Sequence, residues 1–203
     1  MNILKKIIVI VLLSCVTVYG QEKKHKTKSI LQFGAIGDSI TLNTKAIQAA
    51  INNVSKHNGG RVVFPKGTYL SGSLELKSGV EIHFEDGAVL LGSTDPYQLL
   101  ADKTSSIAIT GNGIIDGQGR KLALTTDSLH HAGVLIDPKY NYRRMRSSEI
   151  HRAELINFRF CNDIKISGIT LKDGSSWIQT YDQCTNLEID SIKVNSTAYW
   201  NND

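Results

Sequence analysis

Two groups of side chains in this 203-residue sequence are suited to binding a polar polymer. Trp177 offers an aromatic face of the kind that stacks on a sugar ring, and the alternative is that it plugs an apolar corner. Gln179 and Tyr181 fall on the same side as Trp177 of a strand with period two, so they can line the same cleft. Arg143, Arg144 and Arg146 can bind carboxylates as forked donors, or they form a solvated basic loop.

An internal repeat indicates what positions these side chains. Residues 161–171 match residues 184–194 at every apolar position, with an offset of 23 residues. Each copy alternates apolar and polar residues, which predicts a strand with one buried face. Breaks at Gly168 and Ser191 predict corners where the chain turns onto another sheet.

Weaker copies extend this repeat upstream. They are Val62 and Phe64 before Leu74 and Leu76, then Val80, Ile82 and Phe84 before Val89 and Leu91, then Ile107 and Ile109 before Ile114 and Ile115. Short strands at such intervals also suit a β-sandwich. A solenoid is favoured because the repeat stays in phase, each unit is long enough for one turn, and the clearest repeats lack hairpin dipeptides. We therefore predict an all-β fold, a right-handed parallel β-helix.

The stacked turns of a solenoid would place Cys161 directly beside Cys184. That separation suits a disulfide, but we favour an interior ladder of two thiols. The adjacent pair His130-His131 lacks the spacing of metal ligands, and we predict neither a metal site nor a cofactor.

One amphipathic helix is predicted from Thr44 to His57, with Asn43 or Thr44 at its N-cap. We assign it as an N-terminal cap, because the open end of a solenoid exposes unpaired backbone and an apolar core. Residues 118–154 interrupt the repeat with a polar and basic stretch. We interpret this stretch as a long excursion from one corner of a coil.

The N-terminus has the features of an export signal. Lys5 and Lys6 precede an apolar run and then small residues, which predicts a signal peptide over residues 1–20. Cleavage before Gln21 gives a secreted or periplasmic protein, and the alternative is an outer-membrane lipoprotein with a lipid on Cys15. A flexible leader is predicted over residues 21–29.

The charge of the remaining chain excludes one class of partner. Residues 29–203 hold 17 basic and 18 acidic side chains, so no basic face indicates a nucleic-acid partner. No apolar run after the first twenty residues is long enough for a membrane span.

A family resemblance rests on motifs along most of the chain. The entry motifs are FGAIGD at 33–38, NTKAIQAAI at 43–51, GRVVFPKGTY at 60–69 and ITGNGIIDGQG at 109–119. The downstream motifs are LINF at 155–158, SW at 176–177, Cys184 and YWNND at 199–203. The entry motifs resemble those of pectin-degrading β-helix enzymes, and the downstream set resembles glycoside hydrolase family 28, the polygalacturonase-like family. We predict that residues 30–203 form the N-terminal part of such a domain.

The resemblance implies inverting hydrolysis of α-linked galacturonic acid polymers, so the expected partner is pectic polysaccharide. Inverting hydrolysis needs a carboxylic acid and a carboxylate base about 6.5–9.5 Å apart, with water between them. By resemblance, Asp203 is one of the water-activating carboxylates. Asn201 and Asn202 would hold its geometry or contact sugar, and Asn202 stands where the family motif Asn-Thr-Asp has threonine.

Other family elements come from later coils than those of this sequence. They are an Asp-Asp pair, a Gly-His-Gly element and an Arg-x-Lys element. We therefore expect a domain truncated before its C-terminal coils and inactive alone, and a monomer when full length. Two alternatives stay open: a β-helix polysaccharide lyase, disfavoured because no dense Asp cluster is evident, and a non-catalytic carbohydrate-binding solenoid.

Overall fold

Parallel strands recur in a fixed order along three sheets in the computed structural model, which describes residues 26–93 and 99–197. Sheet A contains β1 (Lys26–Ser29), β3 (Gly60–Phe64), β6 (Val80–Phe84), β9 (Ser105–Gly111), β12 (Asn162–Ser167) and β15 (Thr185–Asp190). Sheet B contains β2 (Asp38–Leu42), β4 (Gly67–Ser71), β7 (Ala88–Gly92), β10 (Ile114–Asp116), β13 (Thr170–Lys172) and β16 (Lys193–Asn195). Sheet C contains β5 (Leu74–Glu75), β8 (Leu99–Asp102), β11 (Ile156–Arg159) and β14 (Gln179–Asp182).

The chain visits sheets A, B and C in turn, and each strand pairs in parallel with the strand one coil away. This pattern confirms the parallel β-helix and excludes the β-sandwich. The 23-residue offset is also confirmed, since Ile164 pairs with Leu187 and Ile166 with Ile189.

Several predictions fall on residues outside the described ranges. They are the signal peptide over residues 1–20, the alternative lipid site at Cys15, the first part of the leader, and the site residues Asn201, Asn202 and Asp203. Within the described ranges, no helix is long and apolar enough to cross a membrane.

Inward-facing residues form ladders along the coil axis. Val62, Ile82, Ile109 and Ile166 follow one another in register on sheet A, and each is at most 1% exposed. Burying one such side chain contributes about 1.5–3 kcal/mol, so these ladders stabilise the stacking of coils. In β7 the inward residues are Ala88 and Leu90 rather than Val89 and Leu91. Four consecutive apolar residues in β7 carry no alternation, so the sequence could not define the phase of this strand.

Tight corners join sheet A to sheet B, as predicted at Gly168 and Ser191. Their φ angles are 78° and 53°, in the left-handed region that reverses the chain within two residues. A Cβ built on Gly168 would lie within 3.0 Å of the carbonyl oxygen of Gly111, closer than real Cβ atoms come. Glycine at position 168 therefore allows two successive coils to stack at this corner.

Helix α1 (Thr44–Lys56) forms as predicted and buries Ile47, Ala50, Ile51 and Val54. It lies along the free edge of β5, where Gln48 Oε1 accepts from the Glu75 amide and Gln48 Nε2 donates to the Glu75 carbonyl, both at 2.9 Å. Neither proposed N-cap side chain bonds the helix terminus, because Asn43 bonds Ile36 and the Thr44 hydroxyl accepts from the Gly72 amide at 2.7 Å. The role of α1 as a cap of the whole coil stays a prediction.

The predicted excursion leaves β10 after Asp116 and rejoins the coil at Ile156. It is more ordered than a loop, because it contains helix α2 (Gly119–His131) and a short 3-10 helix (Glu149–His151). The sequence analysis missed α2, whose buried face is made of small or mixed residues: Gly119, Leu122, Ala123 and Thr126. Such a face gives a weak 3.6-residue period.

Two local expectations have different outcomes. The leader over residues 21–29 is wrong for its last four residues, since β1 pairs with β3 from Lys26↔Gly60 to Ser29↔Val63. This outermost strand buries little apolar surface, so its residues are mostly polar and show no strand pattern. The thiols of Cys161 and Cys184 are free, as favoured, and Thr104 continues their ladder with its hydroxyl 3.2 Å from Cys161 Sγ.

Candidate active site

Among the predicted site residues, Trp177 lies at the corner where the chain crosses from sheet B to sheet C, called here the B–C corner. Residues 117–155 and 173–178 are two of the crossings at this corner. The first carries the excursion and the second carries Trp177. Residues 198–203 follow β16 of sheet B in the chain, but their positions lie outside the described residues.

Trp177 is presented on a well-supported turn. Its carbonyl oxygen accepts from the Leu155 amide at 3.0 Å, and the Ser175 hydroxyl donates to the Ala153 carbonyl at 2.9 Å. These bonds tie the turn to the base of the excursion, while the Trp177 side chain remains 52% exposed. A fixed turn with a half-open indole suits stacking on a sugar ring better than filling an apolar corner. The sugar contact itself stays a prediction.

Gln179 lies on the inward row of β14 rather than on the outer face. It is in register with Ile156 and, one coil further, with Leu99, both fully buried. The Tyr181 hydroxyl donates to Gln179 Oε1 at 2.7 Å, which satisfies the amide in this position. The structure therefore does not support Gln179 as a cleft residue. The sequence analysis assumed that the strand phase continues through the Trp177 turn, and the phase changes there.

Burial raises the pKa of Tyr181 well above its usual range, so its hydroxyl stays a hydrogen-bond donor to Gln179 at all ordinary pH values. Its ring also meets Phe158 edge to face, with centroids 5.9 Å apart. Gln179 and Tyr181 thus serve the packing of the last described coil.

A charged row on the outer face of sheet B leads to the B–C corner. Asp116, Lys172 and Asn195 occupy equivalent positions in three successive coils. Lys172 Nζ lies 2.8 Å from Asp116 Oδ2 and 3.7 Å from Asp173 Oδ2. The hydrogen bond with Asp116 and the charges of both carboxylates raise the pKa of Lys172, so the ammonium form is held between two acids.

A cavity of about 420 Å³ opens beside this row. One wall is formed by Asp116 and Lys172 of the row and by the adjacent Asp173, and the other by α2, with Arg120 and Lys121. The volume is within the range of small-ligand sites, and the lining offers both hydrogen-bond donors and carboxylate acceptors, as polar sugars require. This row was not predicted from the sequence, because the excursion places Asp116 and Lys172 56 positions apart.

The described residues contain no group of side chains arranged as metal ligands. Across the described ranges, no group of three or more His, Cys, Asp or Glu side chains is placed to hold an ion.

Comparison with known proteins gives a consistent result. The family model described as rhamnogalacturonase A/epimerase, pectate lyase-like, matches residues 28–202. A probable polygalacturonase from Vitis vinifera is 32% identical over 177 residues, which cover 73% of this chain and 33% of the relative. An exo-poly-alpha-D-galacturonosidase from Dickeya chrysanthemi is 38% identical over 123 residues, covering 47% of this chain and 20% of the relative. The chain thus spans a third or less of the length of these two relatives.

A solved structure extends the likeness to nearly all the described coils. The crystal structure of a putative glycosyl hydrolase from Parabacteroides merdae is 33% identical, with a TM-score of 0.74, covering 86% of this chain and 76% of that one. The predicted resemblance to polygalacturonase-like proteins is confirmed by these findings.

Proposed function

This chain belongs to the rhamnogalacturonase A/epimerase, pectate lyase-like family, and from that premise we propose that it is part of a polygalacturonase-type glycoside hydrolase acting on pectic polysaccharide. The observation that carries the proposal is the B–C corner. Asp116, Lys172 and Asp173 line a cavity large enough for a sugar unit there, and the half-exposed Trp177 lies on the crossing that begins at Asp173.

The catalytic assignment within this proposal rests on the family resemblance of Asn201-Asn202-Asp203, and the sequence repeat is consistent with it. The offset of 23 residues that relates Cys161 to Cys184 also relates Trp177 to Trp200 and Thr180 to Asp203. Thr180 alternates with the inward residue Gln179 and pairs with Asn157 on the opposite row of sheet C. Asp203 is therefore the counterpart of Thr180 in the sequence repeat.

The proposed reaction is an inverting hydrolysis. Asp203 accepts a proton from water as the water oxygen bonds to the anomeric carbon, and the bond from that carbon to the glycosidic oxygen breaks. The leaving oxygen takes a proton from a carboxylic acid on the other face of the sugar, about 6.5–9.5 Å from the base. Asn201 and Asn202 would orient Asp203 or bind the sugar, and Trp177 would stack on a neighbouring ring. Among the described residues we assign none as the general acid.

The location of the protein is part of the same proposal. Pectic polysaccharide lies outside the cell that degrades it, which agrees with a signal peptide over residues 1–20 and a secreted or periplasmic product. Lipidation of Cys15 is the competing form, and the mass of the mature N-terminal peptide distinguishes the two.

The product formed from polygalacturonate tests the function. The assay uses both the 203-residue chain and the product of its complete reading frame. A hydrolase releases saturated reducing ends, a lyase releases products that absorb ultraviolet light, and a binding protein releases neither. We expect saturated reducing ends from the complete product and none from the 203-residue chain.

A pair of variants assigns the base. We expect Asp203→Asn to lower kcat of the complete product at least about a hundredfold, as loss of a general base does. The control Asp190→Asn changes an exposed carboxylate at the end of β15 and should leave kcat unaltered. Ultraviolet-absorbing products, or full activity in Asp203→Asn, would contradict the proposal.

A further inference from the structure

A second cavity, of about 450 Å³, lies in the excursion itself. Its lining includes four basic side chains, Lys139, Arg144, Arg146 and Arg152, and one acidic side chain, Glu149. We call this cavity the basic pocket. None of its residues belongs to the row or the turn described above, so it is a separate feature of the molecule.

Arg152 is the buried cation of the basic pocket. The residue is 3% exposed, and the one hydrogen bond its guanidinium donates within the described ranges runs from Nε to the Ser147 carbonyl at 3.0 Å. Its ion pair with Glu149 is loose, at 3.7 Å, and the Glu149 side chain is 78% exposed. Burying a guanidinium group with so few hydrogen bonds and no close ion pair destabilises the fold, unless a bound anion pairs with the charge.

Two other observations concern the net charge around the basic pocket. Burial and the nearby charge of Arg146 both lower the pKa of Arg152, so the two guanidinium groups are close enough to repel. Asp137 lies near the pocket, but its carboxylate accepts from the backbone amides of Lys139 at 3.0 Å and Ser148 at 2.6 Å. Even with Asp137 counted, the four basic side chains of the lining outnumber the two acidic ones.

An unpaired hydroxyl in the lining points independently to a ligand. Ser147 is 2% exposed, and its Oγ has no hydrogen-bond partner within the described part of the chain. Buried hydroxyls are normally paired, because burying one without a partner costs free energy. An oxyanion in the basic pocket would accept from this hydroxyl and from the guanidinium groups together.

The position of the pocket suggests which oxyanion. Arg152 directly precedes Ala153, whose carbonyl accepts from Ser175 in the turn that presents Trp177. A polymer stacked on Trp177 would therefore run close to the excursion. From this arrangement we propose that the basic pocket binds the carboxylate of a uronic acid unit in the polysaccharide, away from the bond that is cleaved. The inference rests on the proposed function and adds a subsite to it.

The direct test is calorimetric titration of the 203-residue chain with trigalacturonate at fixed ionic strength. We expect Arg146→Gln to weaken binding roughly ten- to a hundredfold, the value of a charge-assisted hydrogen bond. Ser147→Ala should weaken it a few fold, and Glu149→Gln should strengthen it a few fold by removing the one acidic side chain in the lining. Arg143→Gln is the matched control, because Arg143 is an exposed neighbouring arginine outside the lining.

Two further ligands identify the chemistry. The methyl-esterified trimer should not bind measurably, because it lacks the carboxylate charge. Sodium sulfate should bind much more weakly than trigalacturonate. If sulfate binds with the same dependence on Arg146 while trigalacturonate does not bind, the pocket is a site for small inorganic anions and the inference is overturned.

The remaining outcomes separate this inference from the proposed function. Equal trigalacturonate binding by Arg146→Gln and Arg143→Gln overturns the subsite, whatever product the complete reading frame forms from polygalacturonate. Pocket-dependent binding without saturated reducing ends overturns the hydrolase and leaves the subsite. Absence of any trigalacturonate binding by the unaltered chain also overturns the subsite. Circular dichroism of each variant confirms that the fold is retained.

Discussion

Close stacking at the corner between sheets A and B can be tested with two glycine-to-alanine variants. Gly168 has φ of 78° and Gly133, in the excursion, has φ of 72°. A Cβ on Gly133 meets nothing within 4 Å, whereas a Cβ on Gly168 collides with the carbonyl of Gly111 in the previous coil. The two variants therefore share the cost of a left-handed backbone and differ in the collision.

The expected magnitudes follow from these two geometries. A left-handed conformation costs an alanine about 1–2 kcal/mol, partly offset by about 0.4–1 kcal/mol from the lower entropy of the unfolded chain, so Gly133→Ala should destabilise by about 1 kcal/mol. Gly168→Ala adds an overpacking cost of about 1–3 kcal/mol. Positive φ alone does not require glycine, because Ser191 adopts φ of 53° at the equivalent corner one coil on.

Thermal unfolding followed by circular dichroism measures the difference. At about 2–4 °C per kcal/mol for a chain of this size, Gly168→Ala should melt roughly 2–12 °C below Gly133→Ala. Urea unfolding provides the corresponding free energies. Equal melting temperatures for the two variants would refute the close stacking of coils, and with it the register that gathers the candidate residues at the B–C corner.

Three further variants test the site and the stability of the coil. Trp177→Ala should weaken polygalacturonate binding about three- to tenfold in affinity electrophoresis, and Trp177→Phe should retain most of the binding. If Trp177→Ala mainly lowers the stability of the protein, Trp177 is an apolar plug and not a sugar-stacking residue. Gln179→Leu should leave polygalacturonate binding unchanged, because Gln179 is on the inward row, and a tenfold loss would return it to the cleft. Burial by itself raises the pKa of Glu81, but hydrogen bonds from Arg61 and Thr110 outweigh it and lower the pKa below the usual 4.5. This stabilisation is present above that value and disappears as the pH falls through the lowered pKa, so the urea midpoint of Glu81→Gln should fall less between neutral and acidic pH than that of the unaltered chain.

Most of the coil could be predicted because its two best repeats alternate strictly. In residues 161–171 and 184–194 every apolar residue has a counterpart 23 positions away, and the structure pairs them strand to strand. The prediction failed where the alternation of apolar and polar residues is absent or interrupted. The run of four apolar residues in β7 left its inward side undefined, and the change of phase at the Trp177 turn reversed the expected direction of Gln179.

The site was harder to predict than the fold. The row of Asp116 and Lys172 joins residues 56 positions apart, because the excursion separates their coils. No fixed offset reveals that contact. Arg152 and Ser147 can be identified only from their burial and their few or missing hydrogen-bond partners, which depend on how the excursion folds back on itself. Their residue types alone suggested a solvated basic segment.

The location of the site follows from how much the length of the connecting segment varies at each of the three corners. After the first coil, corners from sheet A to sheet B are two or three residues long, and those from sheet C back to sheet A reach at most four. The B–C corner instead ranges from Gly72-Ser73 to the whole of residues 117–155. Stacked ladders on all three sheets must stay in register, so an insertion is tolerated only where the chain can leave and return at neighbouring points, as it does between Asp116 and Ile156. The same corner that accepts the longest insertion also carries Trp177 and precedes Asp203 in the chain. A solenoid of this kind can therefore change its ligand by changing one corner while its buried ladders stay the same.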